Sequence, residues 1–269
     1  MKSLLIVSLI VSGMSLPLSA ATEPNTRAPQ IPDVNTIVNR ANLVAYYQGN
    51  DGRAKVFMKI IDKKAQIRQR EFIILRKDIE DGADQNYYLY FLKPADVREM
   101  VYMVHKHPGK DDDRWLYLPA LDLVKRIAAG DKRTSFVGSD FLYEDVSGRG
   151  LDEDTHQLVE TADEHFVVKN VPKKPDDVEF AYYNVYIDRK NYVPKKMEYY
   201  DKNNKLYRTI ESLTVEDIQG FPTVTKAVVS DLNTGSKTEM QFTDVKYDIN
   251  LEDIFTERYL RRPPKEARR

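Results

Sequence analysis

From residue 54 to residue 247 the chain repeats one pattern, short runs of alternating apolar and polar residues cut by turn signals. Alternation with period two sends successive side chains to opposite faces, so each run reads as a β-strand. The first runs span 54–61, 66–76, 86–92, 100–107 and 114–118, followed by a shorter pair at 123–127 and 134–137. A second series covers 157–161, 165–170, 182–188, 195–201, 206–213, 223–230 and 237–247. Asp62-Lys63-Lys64, Asp81-Gly82, Lys93-Pro94, Asn203-Asn204 and Asn233-Thr234-Gly235 supply tight-turn chemistry between runs.

Only two substantial helices interrupt this pattern. Asp33 stands where an N-cap belongs; Ile37, Val38, Ala41, Val44 and Ala45 form one stripe, and Gly49 lies beyond its end. A second helix is expected over 139–147, capped by Ser139 and ended by Gly148 and Gly150. A closing helical turn is expected over 250–255, and a basic tail over 261–269. No fixed-period repeat and no flexible linker divides the chain, so 33–260 reads as one domain after an extended lead-in at 22–32. So much strand with so little helix does not suit a helix-covered parallel sheet. The expected class is α+β: an incomplete, half-open antiparallel β-barrel with the two helices covering its concave face.

Residues 1–21 read as an export signal: Lys2, an apolar run from Leu4 to Leu18, then small residues with cleavage after about Ala21. The apolar run is short and broken by Ser12-Gly13, which favours a cleaved signal over a membrane anchor. The expected location is periplasmic. The chain contains no cysteine, which excludes disulfides, thiolate metal sites and a cysteine nucleophile. Charge is balanced, with 41 Lys and Arg against 42 Asp and Glu, and no clustered basic face suggests nucleic acid.

The candidates for chemistry are weak. His105 and His107 share a strand face, but no third histidine stands at a metal-binding spacing. Ser139 has Phe141 where a nucleophile elbow needs its second glycine, so it reads as a helix cap. Glu144-Asp145 and Asp152-Glu153-Asp154 are carboxylate runs of the kind a highly charged surface carries. No metal, cofactor or catalytic centre is expected; a hydrolase built on His105, His107 and Asp111 is the least favoured reading. The strand at 114–118 differs from these: Trp115 and Tyr117 alternate with Leu116 and Leu118, so both faces are apolar. The 86–92 strand has the same two-sided character. An antiparallel sheet usually keeps one face wet, so here helices or a lipid must cover the second.

These residues carry a resemblance. The stretch Asp113-Arg114-Trp115-Leu116-Tyr117-Leu118-Pro119, then Lys125-Arg126-Ile127, then Ser135 to Phe141 with Glu144-Asp145, and the closing 242–247 run on to Phe255 resemble the LolA/LolB-like superfamily. The nearer likeness is to its outer membrane lipoprotein-sorting branch, and it extends over residues 33–260. The resemblance implies a half-open barrel that binds lipid or lipoprotein acyl chains, with a resistance-nodulation-division (RND) membrane transporter as partner.

The leading expectation is therefore a carrier with a cavity lined by Val56, Met58, Ile60, Tyr102, Val104, Trp115, Tyr117, Phe141 and Leu142. The 139–147 segment, with Gly138 and Gly148 at its ends, reads as a mobile cover on which Phe141→Glu would spare the fold and lower lipid retention. The competing expectation is an accessory protein that docks on an exporter and carries nothing. A cavity of several hundred cubic ångströms favours the carrier; a mouth filled by the protein's own side chains favours the accessory.

Overall fold

All but one of the alternating runs become strands, and these join into one sheet. The computed structural model of the protein describes residues 31–80 and 82–268. The expected export signal, and the lead-in up to residue 30, lie outside the described residues. The first strands are β1 (Asp51–Ile61), β2 (Ile67–Asp78), β3 (Gln85–Lys93), β4 (Val101–Lys106), β5 (Asp113–Leu118) and β6 (Leu123–Arg126). The second series is β7 (Asp154–Thr161), β8 (His165–Pro172), β9 (Phe180–Asp188), β10 (Pro194–Asp201), β11 (Leu206–Ile218), β12 (Phe221–Asp231) and β13 (Ser236–Tyr247).

The order across the sheet is β6-β5-β4-β3-β2-β1-β13-β12-β11-β10-β9-β8-β7. The chain thus starts in the middle, meanders to one edge, crosses to the other and meanders back. The central join pairs Val56 with Phe242 and Met58 with Met240, antiparallel like every other pair. β6 and β7 are the two edges, so this 13-stranded sheet is not closed. The crossover linking them, residues 127–153, carries little regular structure but much of the core.

Period-two alternation sorts the apolar residues into two sets. On one face Val56, Met58, Ile60, Phe72, Leu89, Phe91, Tyr102 and Val104 are buried together with Ile127, Phe136, Phe141 and Tyr143 of the crossover. On the other face Ile73, Leu75, Tyr88, Tyr90, Val101, Met103 and Trp115 pack under Leu251, Ile254, Phe255, Leu260 and Ala267 of the C-terminal segment. That segment is why both sides of the strands are dry. Its helices are α3 (Arg258–Arg261) and α4 (Lys265–Arg268), with Ala267 fully buried, so the basic stretch after Arg261 is folded onto the sheet. The closing helix starts later than the turn expected over 250–255.

The first helix, α1 (Val34–Tyr46), forms as its sequence demands. The Asp33 carboxylate accepts from the Thr36 backbone N–H at 3.1 Å, a standard N-cap bond. Ile37, Val38 and Ala41 are its buried residues, and they pack with Phe166, Val168, Phe180, Val185 and Ile187 of β8 and β9. Its last carbonyl, that of Tyr46, accepts from Arg76 at 2.8 Å and Gln85 at 2.6 Å.

Two local expectations are corrected in the crossover. The strand expected over 134–137 is a single bridge between Ser135 and Leu142. The helix expected to start at Ser139 is α2 (Tyr143–Ser147). Local hydrogen bonds win over helix initiation here: the Ser139 hydroxyl turns back to the Phe136 carbonyl at 2.7 Å. Asp140 accepts from the Ser236 and Thr238 hydroxyls of β13 at 2.5 and 2.6 Å. Helix capping falls instead to Asp145, whose carboxylate accepts from the Leu142 N–H at 2.6 Å.

Candidate functional site

The two halves of the meander do not fill the space between them. A cavity of about 410 Å³ remains, bounded by α1, by the inner face of strands from both halves and by the crossover. Its wall is mainly apolar: Val38 and Ala41 from α1, Phe72 and Leu89 from β2 and β3, Val185 and Ile187 from β9, Met240 from β13, and Phe136 and Phe141 from the crossover. Polar side chains gather where α2 meets the end of α1, at Tyr46, Glu144, Asp145 and Arg149.

That polar end is built from buried ion pairs. Glu144 meets Arg133, Lys132 and Arg149, the last two at 3.2 and 3.3 Å. Arg149 also meets Glu153 at 2.8 Å and Asp154 at 2.9 Å, and Arg133 meets Glu179 at 2.6 Å. Burial alone would raise the Glu144 carboxyl, but the surrounding Arg133, Lys132 and Arg149 outweigh it and hold it at about 2. Arg208 on β11 binds Asp145 at 2.5 Å. From the opposite half of the sheet, the buried Lys106 of β4 donates to the Ser147 and Gly148 carbonyls. Burial pulls the Lys106 ammonium down to about 8.

Structures of this architecture are known. A crystal structure of a DUF1329 family protein from Desulfovibrio piger is 28% identical, with a TM-score of 0.76 over 84% of this chain and 96% of that one. A domain named for outer membrane lipoprotein sorting, from Vibrio parahaemolyticus, is 26% identical, with a TM-score of 0.77 over 85% of this chain and 98% of that one. A LolA superfamily protein from Nitrosomonas europaea shares the fold at 17% identity, with a TM-score of 0.66 over 85% of this chain and 100% of that one. A family model described as that of an uncharacterized protein matches residues 83–262, more than half of the chain. The chain belongs to the family of that model, and it shares its fold with the lipoprotein-sorting domain and the LolA superfamily protein. No curated protein matches it.

In this protein the residues expected to line the cavity separate into four groups. Phe141 is in the cavity wall. Val56, Met58, Ile60, Tyr102 and Val104 lie on the same face but are packed into solid core with Phe91 and Phe136. Trp115 and Tyr117 are on the other face, a correction that follows from register. Directly paired residues of antiparallel strands point the same way, and Trp115 pairs with Met103 while Leu116 pairs with Tyr102. The Trp115 ring meets His105 edge-on at 4.9 Å and lies under Arg126 at 5.1 Å. Leu142 is half-buried at the start of α2, in neither place.

Sequence reasoning missed the wall contributed by α1 and by β8–β10. Its signal was present: Phe166 and Val168, then Tyr183, Val185 and Ile187, alternate in the second half as Tyr102 and Val104 do in the first. The histidines are structural neighbours of other groups. His105 Nε2 is 2.7 Å from the Phe255 carbonyl oxygen, and His107 Nδ1 is 2.8 Å from the Asp84 carboxylate. Among the described residues no three His, Asp or Glu side chains are arranged to hold a metal ion.

Proposed function

We propose that this protein is a periplasmic carrier of the outer membrane lipoprotein-sorting kind, which holds a lipid or lipoprotein acyl chain in the cavity and passes it between membranes. The carrying observation is the cavity itself. At about 410 Å³ it falls within the size range of small-molecule sites, whereas a non-carrying accessory protein needs no such room. In this reading the unclosed sheet acts as a half-open barrel whose concave side is covered by α1 and the crossover. The chain is then exported by the signal at its start, and an RND transporter delivers or receives the cargo.

Affinity supports transfer without chemistry. Moving a methylene from water into an apolar wall is worth about 0.8 kcal/mol, but moving it there from a bilayer gains almost nothing. A cavity of this kind holds a chain in water and yields it to a better acceptor. The carboxylates at its polar end are locked in ion pairs with guanidinium groups, which supports binding over acid–base catalysis.

Native mass spectrometry and lipid extraction of protein purified from the periplasm test the proposal. Bound lipid at near-unit occupancy is the expected result. Protein that leaves the periplasm empty, and takes up no acyl lipid when one is added, would remove the carrier reading.

A further inference from the structure

The polar end of the cavity contains two hydroxyls with little to bind. Tyr46, the last residue of α1, and Tyr199 on β10 both line the cavity together with Glu144 and Asp145. Among the described residues the Tyr46 hydroxyl makes no hydrogen bond. The Tyr199 hydroxyl reaches only the Met197 sulfur, at 3.9 Å, a weak acceptor. The far end of the Tyr46 ring is pinned at the α2 end of the cavity: a Cβ on Gly148 would fall 2.5 Å from its Cζ. A hydroxyl that faces a cavity with no strong protein acceptor is open to an acceptor that a ligand brings.

Both rings are kept as neutral donors. Burial pushes Tyr46 far above the usual tyrosine value, and Asp145, Tyr199 and Glu144 push it further. Tyr199 is pushed up to about 12, chiefly by burial. Arg149, the cation in this part of the wall, is already engaged with Glu144, Glu153 and Asp154. Arg133 and Arg208 are not part of the cavity wall. Arg133 pairs with Glu144 and Glu179. Arg208 pairs with Asp145 through Nη2, while its Nε and Nη1 have no hydrogen-bond partner among the described residues. Lys106, 5.3 Å from the Tyr46 ring centre, spends its protons on the Ser147 and Gly148 carbonyls. At this wall a ligand carboxylate would lie beside the Glu144 and Asp145 carboxylates, with Arg149 already held by other partners, which is unfavourable.

We propose that the Tyr46–Tyr199 pole is a hydrogen-bonding site for an uncharged oxygen acceptor, the ester carbonyl or hydroxyl of an acyl ester whose chain fills the apolar remainder of the cavity. The inference rests on the carrier reading and narrows its cargo to esterified lipid over free fatty acid. Tyr46 donates to the ester oxygen, Tyr199 approaches from β10, and the chain runs between Phe72, Val185 and Met240.

Isothermal titration with 1-monomyristoylglycerol and with myristate, each below its micelle concentration, separates the cases. Wild type binds the ester more tightly than the carboxylate. Tyr46→Phe weakens ester binding about two- to tenfold, the range of a single net hydrogen bond, and leaves myristate binding and thermal stability unchanged. Tyr199→Phe weakens the ester in the same direction. If ester affinity is the same in wild type and both variants, or if wild type prefers myristate, this inference is wrong while the carrier reading stands. If wild type binds neither ligand, the carrier reading falls and takes this inference with it.

Discussion

Arg208 on β11 and Asp145 on α2 meet at 2.5 Å with both side chains buried, and their pair fastens the crossover to the second half of the sheet. Lys106 fastens the same segment to the first half. Removing one partner of a buried ion pair strands the other as an unmatched charge, typically at about 3–5 kcal/mol. Arg208→Leu is therefore predicted to lower unfolding free energy by about that amount. The double variant Arg208→Leu with Asp145→Leu recovers most of the loss. Urea titration checks both; a single-variant loss below about 1 kcal/mol, the worth of an exposed pair, would mean that this contact holds nothing in place.

Phe141 gives the clearest departure from the sequence expectation. Read from sequence, it sat on a mobile cover and tolerated glutamate. In the structure it is buried with Phe72, Phe91 and Phe136, and its carbonyl accepts from the Phe136 N–H at 2.7 Å. Phe141→Glu loses the packing of a core aromatic, about 3–5 kcal/mol, and buries an unpaired carboxyl besides. The prediction is now a variant that melts early or fails to fold, measured by circular dichroism. A melting profile equal to wild type would restore the mobile cover.

Gly148 holds α1 and the crossover together by having no side chain. Its φ is +77°, and an added Cβ would lie 2.5 Å from the Tyr46 ring. Gly148→Ala thus combines backbone strain with overpacking, and a loss of roughly 1–3 kcal/mol is expected. Thermal melts at matched concentration read it. A neutral effect would show that Tyr46 shifts away freely.

The pH dependence has a definite sign at Glu144. Its carboxyl is held at about 2 in the fold, against 4.5 for an ordinary glutamate. A carboxyl whose folded value is depressed contributes fully above its unfolded value and loses that contribution as pH falls through the folded one. The ion pairs around Glu144 therefore support the fold above about pH 4.5 and fade toward about pH 2. Glu144→Gln is predicted to be less stable than wild type by roughly 3 kcal/mol near neutrality, with the gap narrowing through that acid window. Denaturant titrations across the window test this; a gap that stays constant would place the stabilisation elsewhere.

Much of the fold was legible because alternation is a local property. β1 to β5 and β7 to β13 follow directly from the apolar spacing, and α1 from Asp33 and the Ile37–Ala41 stripe. What alternation leaves open is which of two faces turns inward. Trp115 and Leu116 were equally apolar candidates, and the pairing of Trp115 with Met103, set by the β4–β5 register, decides between them. The joining of β1 to β13 and the covering of the outer face by Phe255 and Leu260 were also hidden, since each depends on contacts between residues far apart in the chain. In the crossover, Ser139 and Asp140 carry helix-start chemistry, but the Ser139 hydroxyl turns back locally to the Phe136 carbonyl, and the bond that Asp140 accepts from Thr238 belongs to tertiary structure.

The most direct test of the carrier account is where an acyl chain lies. A crystal grown with a monoacylglycerol brominated near its methyl end marks the chain by anomalous scattering from bromine. The account predicts a peak inside the cavity, among Phe72, Val185 and Met240. A peak on the opposite face beside Trp115, or no ordered bromine at full lipid loading, would contradict it.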